Sequence, residues 1–386
     1  MHRGRRTAAL AVATAAALTG APAAASAAEA LYGVTDQGSV ITLNSSAPGN
    51  VERSVAIRGL QPGEKVLGLD VRPVNDAVYA LGSSSRVYQL NPVTGALRAV
   101  GGGAPFAPAL NGSEFGFDFN PTVDRIRITS NTGQDLRVNP DTGAVAAVDG
   151  VLGYAAGDAG TGTVPAVGGS GYSNSTPGAT ATQLFDIDTA RDALVLQNPP
   201  NAGTLRTVGP LGIAVGGQLG FDIGAGNVGW AAMRPTADGD AVNLYRVDLA
   251  TGRATPASAT PAIGTQDVVA LAAAGTVGDD DDAPTDSVAV SSTQRESRLL
   301  AQGLLVSVSS DEAAFVRATV DAAGRRAGTG TATIADRAGR ATVTLRLSAA
   351  ARAAIRRTGT LRMALSITVT DTAGNATTQR RSIRTR

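Results

Sequence analysis

The 386-residue chain contains no cysteine, one histidine and a single lysine, Lys65. The histidine is His2, inside a segment that reads as a leader, so the rest of the chain has neither His nor Cys. That excludes Ser-His-Asp and Cys-His catalysis, haem held by His, and zinc sites that need His or Cys ligands. Aromatics are only 4% of the residues. Beyond the leader no apolar run of about 18 residues occurs, so no membrane anchor is expected there. Gly101-Gly102-Gly103 is not followed by Lys and a helix, which removes the phosphate-binding loop. Carboxylates, Tyr, Arg and oxygen-ligated metal remain for any chemistry.

The N-terminus has the pattern of a secretory signal peptide over residues 1–27. Arg3, Arg5 and Arg6 precede an apolar stretch, Ala8 to Leu18, and Ala25-Ser26-Ala27 supplies small residues for cleavage. The Arg5-Arg6 pair fits either twin-arginine export or an ordinary charged n-region. A secreted chain without disulfides needs a substantial core, and the remaining length can supply one.

Gly116 to Gly143 is the cleanest copy of a recurring unit. Phe117, Phe119, Ile126, Ile128, Leu136 and Val138 alternate with polar or small residues, the period of a half-buried β-strand. Asn120-Pro121 and Asn131-Thr132-Gly133 supply the turns. Gly68-Leu69-Asp70 repeats Gly116-Phe117-Asp118, and Asn91-Pro92 with Thr94-Gly95 repeats Asn139-Pro140 with Thr142-Gly143, both at an offset of 48 residues. Gly220-Phe221-Asp222 and Leu184-Phe185-Asp186 are further copies. Four strands per 40 to 50 residues is the signature of propeller blades. The expected fold is all-β: a β-propeller of about five blades over 28–275, closed by its N- and C-terminal strands. Leu31 to Ile57 with Asp267 to Ala273 would form one blade. The others fall near 66–101, 113–150, 151–210 and 217–258, with Gly153 to Gly178 read as a long surface loop carrying one strand at most.

Residues 276–289, with Asp279 to Asp282, read as an acidic linker. Residues 290–386 alternate as six or seven short strands, which suggests an immunoglobulin-like β-sandwich. Ser348 to Arg357 within it reads as a helix capped by Ser348, with Gly359 past its end. Charge divides the chain. Residues 28–278 carry 14 basic and 21 acidic side chains, and residues 290–386 carry 16 arginines and 6 acids.

The segments LYGVTDQGSVITLN, GFDFNPTVDRIRITSNTGQDLRVNPDTGAV and VVALAAAG resemble the secreted bacterial family called domain of unknown function 4394, over roughly residues 30–275. The resemblance implies an extracytoplasmic, propeller-like domain and brings no catalytic residues. VTLRLSAAARAAIRR and ITVTDTAGNAT are similar to Ig-like appendages of secreted proteins from bacteria with Ala- and Arg-rich proteomes.

The aligned Asp70, Asp118 and Asp222 are the sharpest candidate constellation. They could converge on the central channel and hold Ca²⁺, or each could cap backbone amides or pair with Arg of a neighbouring blade. Asp186-Ile187-Asp188 with Asp192 lacks the Gly and closing Glu of a calcium loop and reads as a strand ending in an Asx turn. Asp238-Gly239-Asp240 reads as a hairpin turn. Arg125, Arg127 and Arg137 form either an anion-binding patch or pairs with Asp124, Asp135 and Asp141. Trp230 and Tyr245 are either stacking platforms for sugars or core residues.

The expectation is a non-enzymatic secreted binding or scaffold protein whose basic C-terminal domain contacts an anionic cell-envelope polymer, an extracellular glycan or a protein. Nucleic acid is not expected as a partner, and neither is a cofactor beyond Ca²⁺. The alternative is a carboxylate- and Ca²⁺-dependent propeller hydrolase or lyase acting on sugars or lactones.

Overall fold

The computed structural model describes residues 28–216, 218–237, 241–276, 285–310, 314–334, 339–371 and 376–385. The leader, the Asp279–Asp282 run, the Asp238-Gly239-Asp240 turn and the Thr372–Asn375 part of the last predicted turn lie outside them.

Five sheets form the ring, antiparallel except where the edge strand Gly153–Tyr154 pairs parallel with Thr204–Pro210. Blade I joins Glu29–Thr35, Ser39–Asn44 and Arg53–Ala56 to Val268–Thr276, so the chain's first and last propeller strands pair in one sheet. Blades II and III run Val66–Ala99 and Phe115–Val148, four strands each. Blade IV spans Gly153 to Pro210, and blade V begins at Gly220. The innermost strands, in ring order from blade I, are Val268–Thr276, Val66–Val71, Phe115–Asn120, Val167–Tyr172 and Gly220–Ile223.

The period-of-two pattern has a different cause from the one the sequence suggests. Alternate residues of a blade face opposite neighbours, so both faces are covered. In blade I, Leu31, Ile41 and Leu43 pack with Trp230 and Leu244 of blade V. Tyr32, Val34 and Val40 pack with Leu69, Val78 and Tyr88 of blade II. In blade III, Phe117, Phe119, Ile126 and Ile128 pack against Tyr79, Leu81 and Val87 of blade II. The polar phase of that blade is buried too: Asp118, Arg127, Thr129 and Asp135 are each 2% exposed or less. Four of the five interfaces have an apolar core, whereas blades III and IV meet through these polar side chains.

Blade IV holds its inner strand inside the stretch read as loop. Val167–Tyr172 (VGGSGY) is wholly buried and pairs with Leu184–Asp188. Leu184–Asp188 is therefore the second strand, and Asp186 does not occupy the channel position of Asp70 or Asp118. Glycine is required by proximity here. A Cβ on Gly169 would sit 2.8 Å from Phe221 Cβ, and one on Gly171 would sit 3.0 Å from Ile223 Cγ1.

The C-terminal part is one eight-stranded sheet curled around a single core that includes Val306, Val316, Leu345, Ile355 and Ile367. The two layers expected of a sandwich are the two sides of this continuous sheet. Asp286–Ala289, read as linker, is a strand paired with Leu304–Ser310. The helix Ala349–Thr358 starts at Ser348, whose hydroxyl accepts the Ala351 N–H at 3.2 Å, and stops at Gly359 with φ of 66°. A second helix, Glu296–Gln302, has no counterpart in the sequence reading.

Candidate functional site

Asp70, Asp118 and Asp222 come together. One oxygen from each lies within 4.8 Å of the others, and the three residues are 2%, 1% and 4% exposed. Their blades place them at one level of the ring, where blades IV and I carry Gly171 and Ala272. The next residue of every inner strand directs its amide into the same layer, so five N–H groups need acceptors. Asp70 Oδ2 accepts from Phe119 of blade III at 2.6 Å, and Asp70 Oδ1 from Val71 at 2.6 Å. Asp118 Oδ1 accepts from Tyr172 of blade IV at 3.0 Å. Asp222 Oδ2 accepts from Ala273 of blade I at 2.6 Å, and Asp222 Oδ1 from Ile223 at 2.5 Å. Three carboxyl groups thus satisfy all five amides. Where a blade lacks the Asp, the following blade's own Asp takes the amide.

These contacts favour ionised carboxylates, but burial and mutual repulsion act the other way. Burial, then the charge of Asp222, holds Asp70 well above the ordinary carboxylate range. Burial, then Asp70 and Asp222, does the same for Asp118, and burial raises Asp222. A side-chain hydrogen bond joins Asp118 to Asp222, so these two carboxyl groups share a proton. The trio could hold a hard cation through one oxygen each. Ca²⁺ takes about six to eight oxygens, and five of the six oxygens here already accept amides. The channel level on one side, between Gly116, Ser170, Leu69 and Phe221, leaves a void of about 10 Å³, the room of one water molecule.

A second polar constellation joins blades III and IV. Arg127 donates to Asp135 and Asp149, both at 2.6 Å, to Asn201 at 2.8 Å and to Tyr172 Oη at 3.1 Å. Arg137 grips Asp149 with two nitrogens, at 2.7 and 2.9 Å. The pairing alternative for these arginines therefore holds for Asp135. Asp124 and Asp141 instead bind Arg72 of blade II, at 2.5 and 2.8 Å, and Arg125 donates to the Asp124 carbonyl. Nearby, Ser170 Oγ donates to Asp186 Oδ1 at 2.6 Å, while Asp186 Oδ2 has no partner among the described residues. Burial pushes Asp186 up to about 7 against the pull of Ser170, and the charge of Asp135 adds to it.

Asp188 is spent on Tyr154 Oη and on the Ala166 and Ala190 amides, and Asp192 on the Val215 amide, so no calcium loop forms there. Trp230 and Tyr245 are buried, and Trp230 donates to the Glu29 carboxylate beneath the Arg246 guanidinium. Neither offers a face to a sugar. Lys65 is exposed, away from both constellations.

One feature escaped the sequence reading: a polar cleft of about 200 Å³ between blades II and III, bordered by Arg72, Tyr79, Gln89, Arg98 and Asp141. It is built from residues of two adjacent blades, and only the 48-residue offset points to it in the sequence.

A family profile described as a domain of unknown function (DUF4394) matches residues 39–272. No curated protein matches the sequence. Among solved structures the chain is similar to the extracellular domain of the BT4673 one-component system of B. thetaiotaomicron. That likeness has 8% identity and a TM-score of 0.32, covering 95% of this chain and 56% of the other. It is also similar to a protein described as a glycoside hydrolase (12% identity, TM-score 0.37, 83% and 94% covered). A third likeness is to the Dos1 propeller (10% identity, TM-score 0.33, 89% and 77% covered). The chain spans little more than half the length of the first of these, and likenesses this distant carry no activity across.

Proposed function

The chain belongs to the DUF4394 family of domains of unknown function, and on that premise we propose that it is an extracytoplasmic binding or scaffold protein whose basic C-terminal domain contacts an anionic cell-envelope polymer. The observation that carries this reading is the disposition of the C-terminal arginines. All 14 of the described ones between residues 290 and 386 are exposed. Only Arg326, beside Asp321 at 2.6 Å, has an ion pair among the described residues. Alternation along the strands puts Val316, Val343 and Leu345 inside and Arg317, Arg340 and Arg346 outside. The helix adds Arg352, Arg356 and Arg357. Such a surface attracts polyanions without a pocket, and the attraction is screened by salt.

The test is a pull-down on isolated cell envelopes at rising salt, comparing the whole chain with a variant in which Arg346, Arg352, Arg356 and Arg357 are changed to Gln. Binding at low salt that fades above about 0.15 M and is cut by the four substitutions supports the reading. Binding indifferent to both salt and substitution sinks it.

The second reading is an enzyme using Ca²⁺ at the ring axis, and the convergence of Asp70, Asp118 and Asp222 is the observation in its favour. Titration calorimetry with millimolar Ca²⁺ tests it. Heat that disappears in Asp118→Asn would support a cation site, and no heat in the native chain would remove the basis for the enzyme.

A further inference from the structure

The cleft between blades II and III occupies the station at which the next interface is closed by the carboxylate of Asp149. In blade III, Asp149 lies between the guanidinium groups of Arg127 and Arg137, at 2.6 to 2.9 Å. The 48-residue offset puts Tyr79 and Gln89 where blade III has Arg127 and Arg137. The strand registers agree, since Tyr79 pairs with Gln89 as Arg127 pairs with Arg137. At the place of Asp149 blade II has Gly101, next to Val100, and neither bears a carboxylate. No acid can be built there at Gly101, because its Cβ would lie 1.7 Å from the Thr142 carbonyl oxygen. The cleft of about 200 Å³ is what remains.

Its polar groups are arranged to receive an acceptor. Arg72 is spent on Asp124 and Asp141. Arg98 is exposed, opposite Gln89 in the ladder, and donates one nitrogen to Gln89 Oε1 at 2.5 Å. It has no ion pair among the described residues. The Tyr79 hydroxyl accepts from Gln89 at 2.9 Å and from Arg72 at 3.3 Å, so its own proton is left to donate, and no acceptor for it occurs among the described residues. Tyr79 is itself 1% exposed and is fixed edge-on to Phe119, so that donor does not wander.

We propose that this cleft binds a small sugar acid, its carboxylate seated between the Arg98 guanidinium and the Tyr79 hydroxyl in the role that Asp149 plays within blade III. Gln89, Asn75 and the exposed Asp141 at the rim are polar neighbours for its hydroxyl groups. The volume lies below the roughly 300 to 1,000 Å³ of pockets for drug-sized ligands, which suits a single sugar unit. The cleft is confined to the propeller, so this site stands or falls independently of the C-terminal arginines.

The experiment is titration calorimetry on the full chain with glucuronate and, separately, with glucose. Glucuronate binds at least tenfold more tightly than glucose, and Arg98→Ala weakens glucuronate at least tenfold. Arg53→Ala, an exposed arginine elsewhere on the propeller, leaves binding within twofold and so accounts for net charge. Tyr79→Phe keeps the ring and loses affinity; if it fails to fold, Arg98→Ala carries the test. Equal binding of glucuronate and glucose, no binding of either, or an Arg98→Ala variant that binds like the native chain overturns the proposal.

Discussion

The carboxylate of Asp70 accepts the amide N–H of Phe119, one blade further round the ring, at 2.6 Å. Asp118 with Tyr172 and Asp222 with Ala273 repeat the contact. These bonds cross blade boundaries at the axis, so the repeated Asp is a fastener between neighbours before it is anything else.

Replacing Asp118 by Ala leaves the Tyr172 amide buried without an acceptor. About 1–3 kcal/mol of stability is lost for such a group. Asp118→Asn keeps an acceptor oxygen for the Tyr172 amide and an N–H donor for Asp222, so it costs less than about 1 kcal/mol or stabilises. Urea unfolding of both variants checks this, and equal losses would contradict the fastener role.

Stability of the native chain falls as pH rises from about 4 towards 7. Unfolded aspartates ionise near 3.9, whereas burial keeps Asp186 protonated up to about 7 in the fold. The folded state therefore holds the extra proton in this window. The stabilisation is complete below the unfolded value and is lost as pH passes the folded one. Three units correspond to about 4 kcal/mol at most. Asp186→Asn removes the contribution, so its unfolding midpoint relative to the native chain climbs between pH 4.5 and 7.5. Parallel pH profiles would refute the assignment, and the comparison cancels groups shifted the other way, such as Glu64 and Asp158.

Arg127→Met leaves Asp135 and Asp149 buried with their shared cation gone. Breaking a buried pair in this way costs about 3–5 kcal/mol. Hydrogen exchange should locate the loss in Tyr172 and Asn198 to Thr204, across from Arg127. Protection lost evenly around the ring would mean that the network does not act at the interface of blades III and IV.

Gly68→Ala places a methyl 2.4 Å from Phe117 Cβ in the adjoining blade. Overpacking of this sort costs about 1–3 kcal/mol. Gly153→Ala, with open space at its Cβ, is the matched control and changes the thermal midpoint little. Equal effects would show that the inner strands have slack between them.

Much of this was legible in the chain. The glycine–x–aspartate repeat marks the inner strands of blades II, III and V, and Val268 onward supplies the strand that completes blade I. The repeat also brought the three aspartates to one level. Their main-chain partners left no trace, because an amide N–H of the next blade has no side-chain signature. Blade IV hid its inner strand because Gly169 and Gly171 replace the alternating apolar residues where blade V comes too close for a Cβ. The alternation in blade III was misleading in a physical sense. Polar residues that ordinarily face water there face blade IV, which receives them with Tyr172, Gln197 and Asn201. Arg72 carries no local signal of its role, since its partners Asp124 and Asp141 lie a blade away and local spacing favours Arg125 and Arg137 for them.

The pairing of Glu29–Thr35 with Val268–Thr276 sets the timetable of biogenesis. Until the second of these strands has been made, the first has a bonded neighbour on one side only. Its other edge offers bare N–H and C=O groups to any strand that passes. Closing so long a loop is slow compared with forming hairpins. The four hairpin-built blades can therefore wait, folded and unclosed, for the last strand to arrive. A chain delivered without pause is expected to close on itself, whereas one that stalls before residue 268 leaves that edge open to a strand of a second copy.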